Sequence, residues 1–166
     1  MYYHVSKINV ITFRKTNRKK IMPEYIPSPK KWVADQVELY EGTDGREGTT
    51  LRETGLPVII VTNTGHKTKA IRKTPLMRIA DGQNYVLVAS QGGAPTHPLW
   101  YHNLKANPNV EIRDEENVYK MRAREVPEGT ERTRLWNLAV EAFSEYENYR
   151  NKTDRLIPVF IAELSQ

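Results

Sequence analysis

The greatest concentration of chemically useful side chains lies in residues 64–73, directly after an apolar run. The candidates among them are four side chains that can be cationic and two that carry hydroxyls: His66, Lys67, Arg72, Lys73, Thr64 and Thr68. A turn exposes backbone N–H groups, which can bind an anion together with lysine and arginine. The set suits a phosphate, although the P-loop spacing G-x-x-x-x-G-K is absent. The residues alone leave a second interpretation open, in which the segment is a solvated basic hairpin tip.

Two segments downstream can supply the walls of a site for a flat ligand. Ser90, Gln91 and Gly92 leave an apolar run and enter a pair of glycines, where the backbone can approach a planar molecule closely. The segment 98–104 then places an aromatic wall and an amide on one predicted helical face: Leu99, Trp100 and Asn103. A plain loop and ordinary core packing are the competing interpretations.

Three aromatic residues near the C-terminus are spaced three apart: Phe143, Tyr146 and Tyr149. That spacing predicts that they share one face of a helix. They can cover an apolar pocket, with the two phenol groups directed at a substrate. The alternative is that this face only docks the helix on the rest of the fold.

Other catalytic chemistries lack the residues they need. The chain has no cysteine, which removes thiolate metal sites, iron–sulfur clusters and cysteine nucleophiles. Its four histidines show no metal-ligand spacing, and the sequence contains no nucleophile-elbow motif and no G-x-G-x-x-G motif. We therefore predict no metal site, and an imported organic cofactor is the natural source of reactivity.

The formal net charge of +5 is concentrated in an N-terminal tail. Residues 1–21 hold six of the 25 basic residues and no acidic one, so residues 22–166 carry 19 basic against 20 acidic side chains. A nearly neutral body argues against nucleic acid as a partner. The tail is predicted to be disordered, an extension upstream of a native start at Met22, or an arm for weak association with an anionic membrane surface. No run of about 18 apolar residues is present, so no membrane span is predicted.

Apolar patterning and turn residues predict the elements that position these candidates. Strands are predicted at 57–64, 71–80, 85–90, 110–113, 119–126 and 156–164. Helices are predicted at 29–41, at 98–106 and from Pro127 onward. The first three strands are predicted to form an antiparallel meander. Because strands cluster instead of alternating with helices, the fold class is predicted to be α+β, a mainly antiparallel barrel with helices packed outside, formed by residues 22–166 as a single domain.

Three stretches of the chain resemble one known family: TGHKTKAIRKTPLMR, VASQGGAPTHPLWYHNLKANP and YENYRNKTDRLIPVFIAEL. Their order and spacing are similar to those of the deazaflavin-dependent nitroreductase family, which uses a reduced 8-hydroxy-5-deazaflavin coenzyme, coenzyme F-420. The resemblance runs from about Ser28 to Leu164. It implies a split β-barrel like that of FMN-binding proteins. It also implies hydride transfer from the reduced coenzyme to an electron-poor enone, quinone or nitro compound.

The resemblance further implies roles for individual residues. The coenzyme phosphate would be held by Lys67, Thr68 and Arg72, with His66 and Lys73 beside them. Four residues would border the ring and its ribityl chain: Thr74, Pro75, Leu76 and Met77. The ring would also contact Ser90, Gln91 and Gly92. A second wall would be formed by Leu99, Trp100 and Asn103. The substrate pocket would be lined by Met77, Phe143, Tyr146 and Tyr149. Candidate proton donors or substrate-orienting groups are Tyr146, Tyr149 and Ser90.

The chain departs from the nitroreductase pattern at four of these positions. His66 stands in place of an arginine and Gln91 in place of a lysine. Met77 and Phe143 stand in place of two tyrosines of the substrate pocket. The cofactor assignment is compatible with these changes, whereas an activity on nitroimidazoles is not implied.

Two alternatives stay open at this level. A related barrel can carry FMN or haem, and the basic turn also suits the phosphate of FMN. The chain can also be a non-catalytic protein that binds or carries the deazaflavin. As an enzyme it is expected to act on a small-molecule acceptor, as a monomer or homodimer, in the cytoplasm, with peripheral membrane contact only through the tail.

Overall fold

The fold was obtained as a computed structural model, which describes residues 22–165. Within that range seven strands are present: β1 (Val58–Thr64), β2 (Ile71–Met77), β3 (Ala80–Asp81), β4 (Asn84–Val88), β5 (Asn109–Asp114), β6 (Asn117–Glu125) and β7 (Val159–Leu164). Four α-helices accompany them: α1 (Lys31–Gly42), α2 (Leu99–Ala106), α3 (Thr130–Ala142) and α4 (Glu145–Asn151). The predicted basic tail lies outside the described residues. No helix among the described residues is both long and apolar enough to cross a bilayer.

The strands form one antiparallel sheet in the order β2-β1-β5-β6-β7-β4-β3. Its two edge strands are consecutive along the chain, since β2 ends at Met77 and β3 begins at Ala80. A link of two residues can join opposite edges only if the sheet curls upon itself. The predicted mainly antiparallel barrel is therefore confirmed.

The predicted meander of the first three strands is confirmed only in part, because the predicted second strand, 71–80, is divided into β2 and β3. β1 pairs with β2 as expected, and β3 pairs with β4 around the turn at Gly82. However, β4 pairs with β7, the last strand of the chain, and not with β2. Turn residues specify local hairpins, whereas this partner lies about 70 residues away and is selected by burial of both strands in the same core.

Alternate residues of the central strands face two hydrophobic clusters, as strand periodicity requires. In β1, Ile59 and Val61 belong to the first cluster, which we call the inner cluster. It also contains Trp100 and Leu104 from the buried side of α2. The intervening residues of β1 face an outer cluster that α1, α3 and α4 cover. The two faces of the sheet are thus closed by different helices, and α2 is the helix nearest the basic turn.

Three predicted boundaries differ from the structure. α1 begins at Lys31, and Ser28 accepts a hydrogen bond from Lys30 N at 3.2 Å in the turn before the helix. α3 begins at Thr130, three residues after Pro127, because Gly129 has a positive φ of 147° that is incompatible with a helix. β7 begins at Val159, directly after a proline that cannot donate to the ladder.

Tyr40 joins α1 to the sheet and provides a direct test of this architecture. Its fully buried hydroxyl donates to Val58 O at 3.1 Å and accepts from Glu115 N at 2.8 Å. Tyr40→Phe removes a buried hydrogen bond to Val58 O and a partly buried one from Glu115 N, so we expect the free energy of unfolding to fall by about 1–3 kcal/mol in urea denaturation. The control Tyr119→Phe alters a partly exposed tyrosine and should change it by under about 0.5 kcal/mol. Equal effects of the two changes would contradict the assigned role.

Candidate functional site

The basic turn, residues 65–70, is held in shape by its own hydrogen bonds. Gly65 N donates to Ala70 O at 2.8 Å, and Lys69 N donates to Gly65 O at 2.8 Å. Ala70 N donates to Thr68 Oγ1 at 3.3 Å. Among the described residues, the backbone N–H groups of Lys67 and Thr68 are then the ones left at the tip of the turn. A short run of such N–H groups is an anion-binding feature.

The three basic side chains of Lys67, Arg72 and Lys73 are not equally available. Lys67 is exposed and forms no ion pair with any residue between 22 and 165. Arg72 is half-buried, and its Nη1 donates to Ile26 O at 3.3 Å. Lys73 points to the opposite side of β2, where its Nζ pairs with Glu41 Oε2 of α1 at 2.6 Å. Of these three, Lys67 and Arg72 therefore remain available for an anion at the turn, and the predicted role of Lys73 loses support.

Asn103 fixes the basic turn against α2. Its Oδ1 accepts from His66 N at 2.9 Å and lies 3.0 Å from His66 Nδ1, and its Nδ2 donates to Asn63 Oδ1 at 2.8 Å. Both atoms of the amide make hydrogen bonds within the protein, so Asn103 positions the turn against α2. Sequence analysis missed Asn63. The available signal was a polar residue at the inward-facing position that follows Ile59 and Val61.

Trp100 lies in the core and not at the surface. Its side chain is 7% exposed and packs on Phe160, with 5.8 Å between ring centroids. The indole of Trp100 is thus an ordinary core side chain, as the competing interpretation proposed, and not an exposed wall for a ligand. Leu99, which is 75% exposed, is the predicted wall residue that α2 presents to solvent.

The glycine loop, residues 89–97, reaches the surface beside α4. Three consecutive residues have positive φ: Gln91 at 48°, Gly92 at 64° and Gly93 at 78°. A Cβ on Gly93 would lie 2.7 Å from Tyr149 O, so the loop sits directly on α4. A Cβ on Gly92 would meet nothing within 4 Å. The backbone at Gly92 is therefore open to an approaching molecule, as a flat ligand requires.

The aromatic trio Phe143, Tyr146 and Tyr149 forms a cluster, but not on one helix. α3 ends at Ala142, Phe143 is extended, and the two tyrosines lie on α4. The predicted single helical face is thus wrong, and the three rings meet across a helix break with centroids 5.1 to 6.2 Å apart. Burial, with a contribution from Tyr149, raises the pKa of Tyr146 well above its ordinary value of 10.0. Tyr146 consequently keeps its proton at neutral pH and is a weaker acid than an exposed phenol.

The predicted ring-bordering residues of β2 divide between the two sides of the strand. Met77 and Tyr146 are members of the outer cluster, and Phe143 and Tyr149 pack against that cluster. Leu76 packs against the inner cluster instead. Thr74, Pro75, Leu76 and Met77 therefore cannot all face one ligand surface.

Two cavities of the described residues are lined by other side chains. The larger, about 480 Å³, is bordered by Arg78, Tyr85, Asp114 and Tyr119. The Tyr85 hydroxyl donates to Asp114 Oδ2 at 2.6 Å, and Arg78 Nε donates to the same carboxylate. The second cavity, about 430 Å³, includes Asn63 and Thr64 but none of the residues to which the family resemblance gives a role. The residues with roles implied by the resemblance thus lie outside these two cavities, on the basic turn, β2, α2, the glycine loop and the aromatic trio.

These features fit a ligand with an anionic tail and a planar ring. The donor set at one end is cationic: Lys67 and Arg72 with two N–H groups. The other end offers the uncovered backbone at Gly92 beside an aromatic cluster. Asn63 lies against Asn103, and its Nδ2 is buried without a hydrogen-bond partner among the described residues.

Comparisons with known proteins agree on one group of relatives. A family model described as F420H(2)-dependent quinone reductase matches residues 32–164. An F420H(2)-dependent quinone reductase of Mycobacterium tuberculosis is 41% identical over 125 residues, which is 74% of this chain and 83% of the relative.

Solved structures give the same grouping. A structure described as an F420-H2 dependent reductase, FDR-A, is 51% identical with a TM-score of 0.61, covering 64% of this chain and 94% of that one. A structure described as a domain-swapped dimer is 45% identical with a TM-score of 0.63, covering 82% and 100%. HutZ, a haem storage protein of Vibrio cholerae, has a TM-score of 0.50 at 14% identity over 66% of this chain and 82% of its own, which shows similarity of fold only.

Proposed function

This chain belongs to the F420H(2)-dependent quinone reductase family and is an F420-dependent reductase, and from that premise we propose that it transfers a hydride from reduced coenzyme F-420 to a quinone. The cofactor of the family is the deazaflavin coenzyme F-420. The observation that supports the proposal most is the basic turn, whose cationic tip is unpaired among the described residues and is fixed to α2 through Asn103. That arrangement provides a rigid anchor for the anionic tail of a coenzyme.

The residues around the site have separate tasks in this proposal. When bound, the reduced coenzyme supplies the hydride. Lys67 and Arg72, with the N–H groups of Lys67 and Thr68, bind its phosphate. Gly92 lets the ring lie against the backbone of the glycine loop. The chain contributes rate mainly by orientation, because placing the two reactants in fixed geometry removes much of the entropic cost of their encounter.

The acceptor side is assigned to Met77 and the aromatic trio. All four are members of the outer cluster or pack against it, so in this proposal they offer an apolar surface that excludes water from one face of a planar acceptor. Tyr149 is only half-buried, which makes its hydroxyl more accessible than that of Tyr146. We therefore propose Tyr149 as the first candidate for orienting or protonating the acceptor oxygen, with Ser90 as the second.

Family membership favours a quinone over the other electron-poor acceptors. Enones and nitro compounds can accept a hydride through the same geometry, so we include them as secondary substrates to be tested. The membrane-surface association of the basic tail and a homodimeric state are further proposals. Liposome sedimentation with and without residues 1–21 tests the first, and light scattering tests the second.

Fluorescence titration combined with turnover tests the proposed function. We expect oxidised coenzyme F-420 to be quenched with a dissociation constant in the micromolar range, and FMN and haem to bind more weakly in parallel titrations. With reduced coenzyme, a quinone should be turned over faster than an enone or a nitroaromatic of similar size. Tight binding without turnover of any acceptor would indicate a carrier. No quenching at high protein concentration would contradict the proposal.

A further inference from the structure

Arg155 lies between α4 and β7, and its guanidinium reaches both ends of the glycine loop. Nη2 donates to Ala89 O at 3.1 Å and to Ser90 O at 2.8 Å. Nε donates to Ala94 O at 2.8 Å. One half-buried side chain therefore binds three carbonyl groups of the loop, two before the glycine pair and one after it.

The fourth partner of this guanidinium is a histidine. Arg155 Nη1 lies 2.9 Å from His97 Nδ1, and the His97 ring packs on Tyr101 with 4.2 Å between centroids. A guanidinium can only donate, so Nδ1 must accept, and the ring proton must be on Nε2. This contact consequently exists only while His97 is neutral.

The glycine loop needs such a support. It contains three successive positive φ angles, one of them at a residue with a side chain, Gln91. A conformation of this kind persists only where its surroundings determine it. Within the loop, Gly93 N donates to Ser90 O, and Gln91 Nε2 makes an exposed contact with Thr96 Oγ1 at 3.3 Å. Most of the remaining hydrogen bonds that define the loop come from Arg155.

We propose that Arg155 is a positioning residue of the coenzyme site: it holds the glycine loop in the shape that receives the coenzyme ring, and it does so fully only while His97 is neutral. The proposal rests on the proposed function, in which the loop contacts the coenzyme. It assigns to Arg155 no contact with the coenzyme or the acceptor.

The charged and titratable groups around His97 set the direction of the pH effect. They are Arg155, His102 and Tyr101 of α2, and Glu125 of β6, which also pairs with Lys105 at 2.7 Å. Burial first, and then the positive charges of Arg155 and His102, lower the pKa of His97 from its ordinary value of 6.5, while Glu125 acts in the opposite sense. The hydrogen bond is thus complete above 6.5 and is lost as the pH falls from there through the lowered pKa of the folded state.

Amide hydrogen exchange on the coenzyme-free protein tests the proposal without any activity measurement. His97→Asn is the matched variant, because its Oδ1 keeps an acceptor near the position of Nδ1 and does not titrate. At about pH 7.5, residues 89–97 should exchange at the same rate in both proteins. At the lowest pH at which both proteins remain folded, after correction for intrinsic rates, they should exchange at least about fivefold faster in the wild type than in His97→Asn.

Coenzyme affinity provides the second readout. Arg155→Lys keeps the charge, but one ammonium cannot span the four acceptors, so the dissociation constant for oxidised coenzyme F-420 should rise about tenfold or more at about pH 7.5. Arg122→Lys, on the exposed face of β6, is the control and should leave the dissociation constant unchanged.

The ratio of wild-type to His97→Asn dissociation constants should also rise about fivefold from the higher to the lower pH, since the coenzyme's own titration is common to both proteins.

Equal exchange of the loop in wild type and His97→Asn across this pH range would overturn the proposal, even if Arg155→Lys fails to fold. So would an unchanged coenzyme affinity in a folded Arg155→Lys. Failure of the proposed function can be distinguished from failure of the role assigned to Arg155. Loss of loop protection as predicted, with no coenzyme binding at any pH, would contradict the proposed function and the coenzyme part of this proposal, while the support of the loop by Arg155 would stand.

Discussion

Replacing the two cations proposed to bind the phosphate, Lys67→Gln with Arg72→Gln, is expected to raise the dissociation constant of oxidised coenzyme F-420 about 100-fold or more. Each charge-assisted hydrogen bond contributes about 1.5–3 kcal/mol, and about 1.4 kcal/mol corresponds to a factor of ten. The fold should be nearly unaffected, because Lys67 is exposed and Arg72 makes one long bond to Ile26 O. Fluorescence titration measures the affinity, and urea denaturation measures the stability.

Two further lysines separate a specific anion site from general electrostatic attraction. Lys73→Gln removes a charge from the same strand, but that ammonium is paired with Glu41, so we expect less than about a twofold change in affinity. Lys120→Gln removes an exposed charge from β6 and should have no effect. Equal losses in all the variants would indicate that only net charge matters. An unchanged affinity in the double variant would place the phosphate elsewhere.

Gly93→Ala is expected to lower the free energy of unfolding by about 2–5 kcal/mol and to abolish measurable coenzyme binding. The φ of 78° costs an alanine about 1–2 kcal/mol. Its Cβ would also lie 2.7 Å from Tyr149 O and 3.0 Å from Lys152 Cβ, which adds about 1–3 kcal/mol of overpacking. Relief of this clash lifts the glycine loop from α4, and so separates the proposed ring contact from the aromatic trio.

Gly92→Ala is the matched control for this prediction. Its φ of 64° imposes similar backbone strain, but a Cβ there meets nothing within 4 Å. We expect a cost of only about 1–2 kcal/mol in urea denaturation. If the two alanine variants are equally stable, the close seating of the loop on α4 is not a determinant of the fold.

The strands were predictable because their apolar, β-branched runs are local signals. PVIIVTNT corresponds to β1 and YVLVAS overlaps β4, each within a residue or two of the predicted bounds. The pairing of β4 with β7 was not predictable from turns, since it depends on burial across the whole chain. The break between α3 and α4 also escaped prediction, because neither Phe143 nor Ser144 is a glycine or proline that would announce it.

For the candidate site, the sequence indicated candidate residues but not where their side chains lie. The basic turn could be recognised from its clustered cations, and strand alternation separates Arg72 from Lys73, but only the packing of α1 shows that Lys73 meets Glu41. Arg155 and Asn63 were not identified as site residues, since their partners lie 58 to 66 and 40 positions away. Trp100 illustrates the opposite error, in which an aromatic residue suited to a ligand wall is used by the core.

The central claim is that the surface from the basic turn to the glycine loop binds the coenzyme, and amide hydrogen exchange with and without saturating coenzyme F-420 tests it most directly. The account predicts slower exchange on binding in residues 65–73 and 89–97. It predicts no change at Arg78, Tyr85 and Asp114, which border the larger cavity at some distance along the strands. Protection confined to the residues around that cavity, with none in the basic turn or the glycine loop, would contradict it.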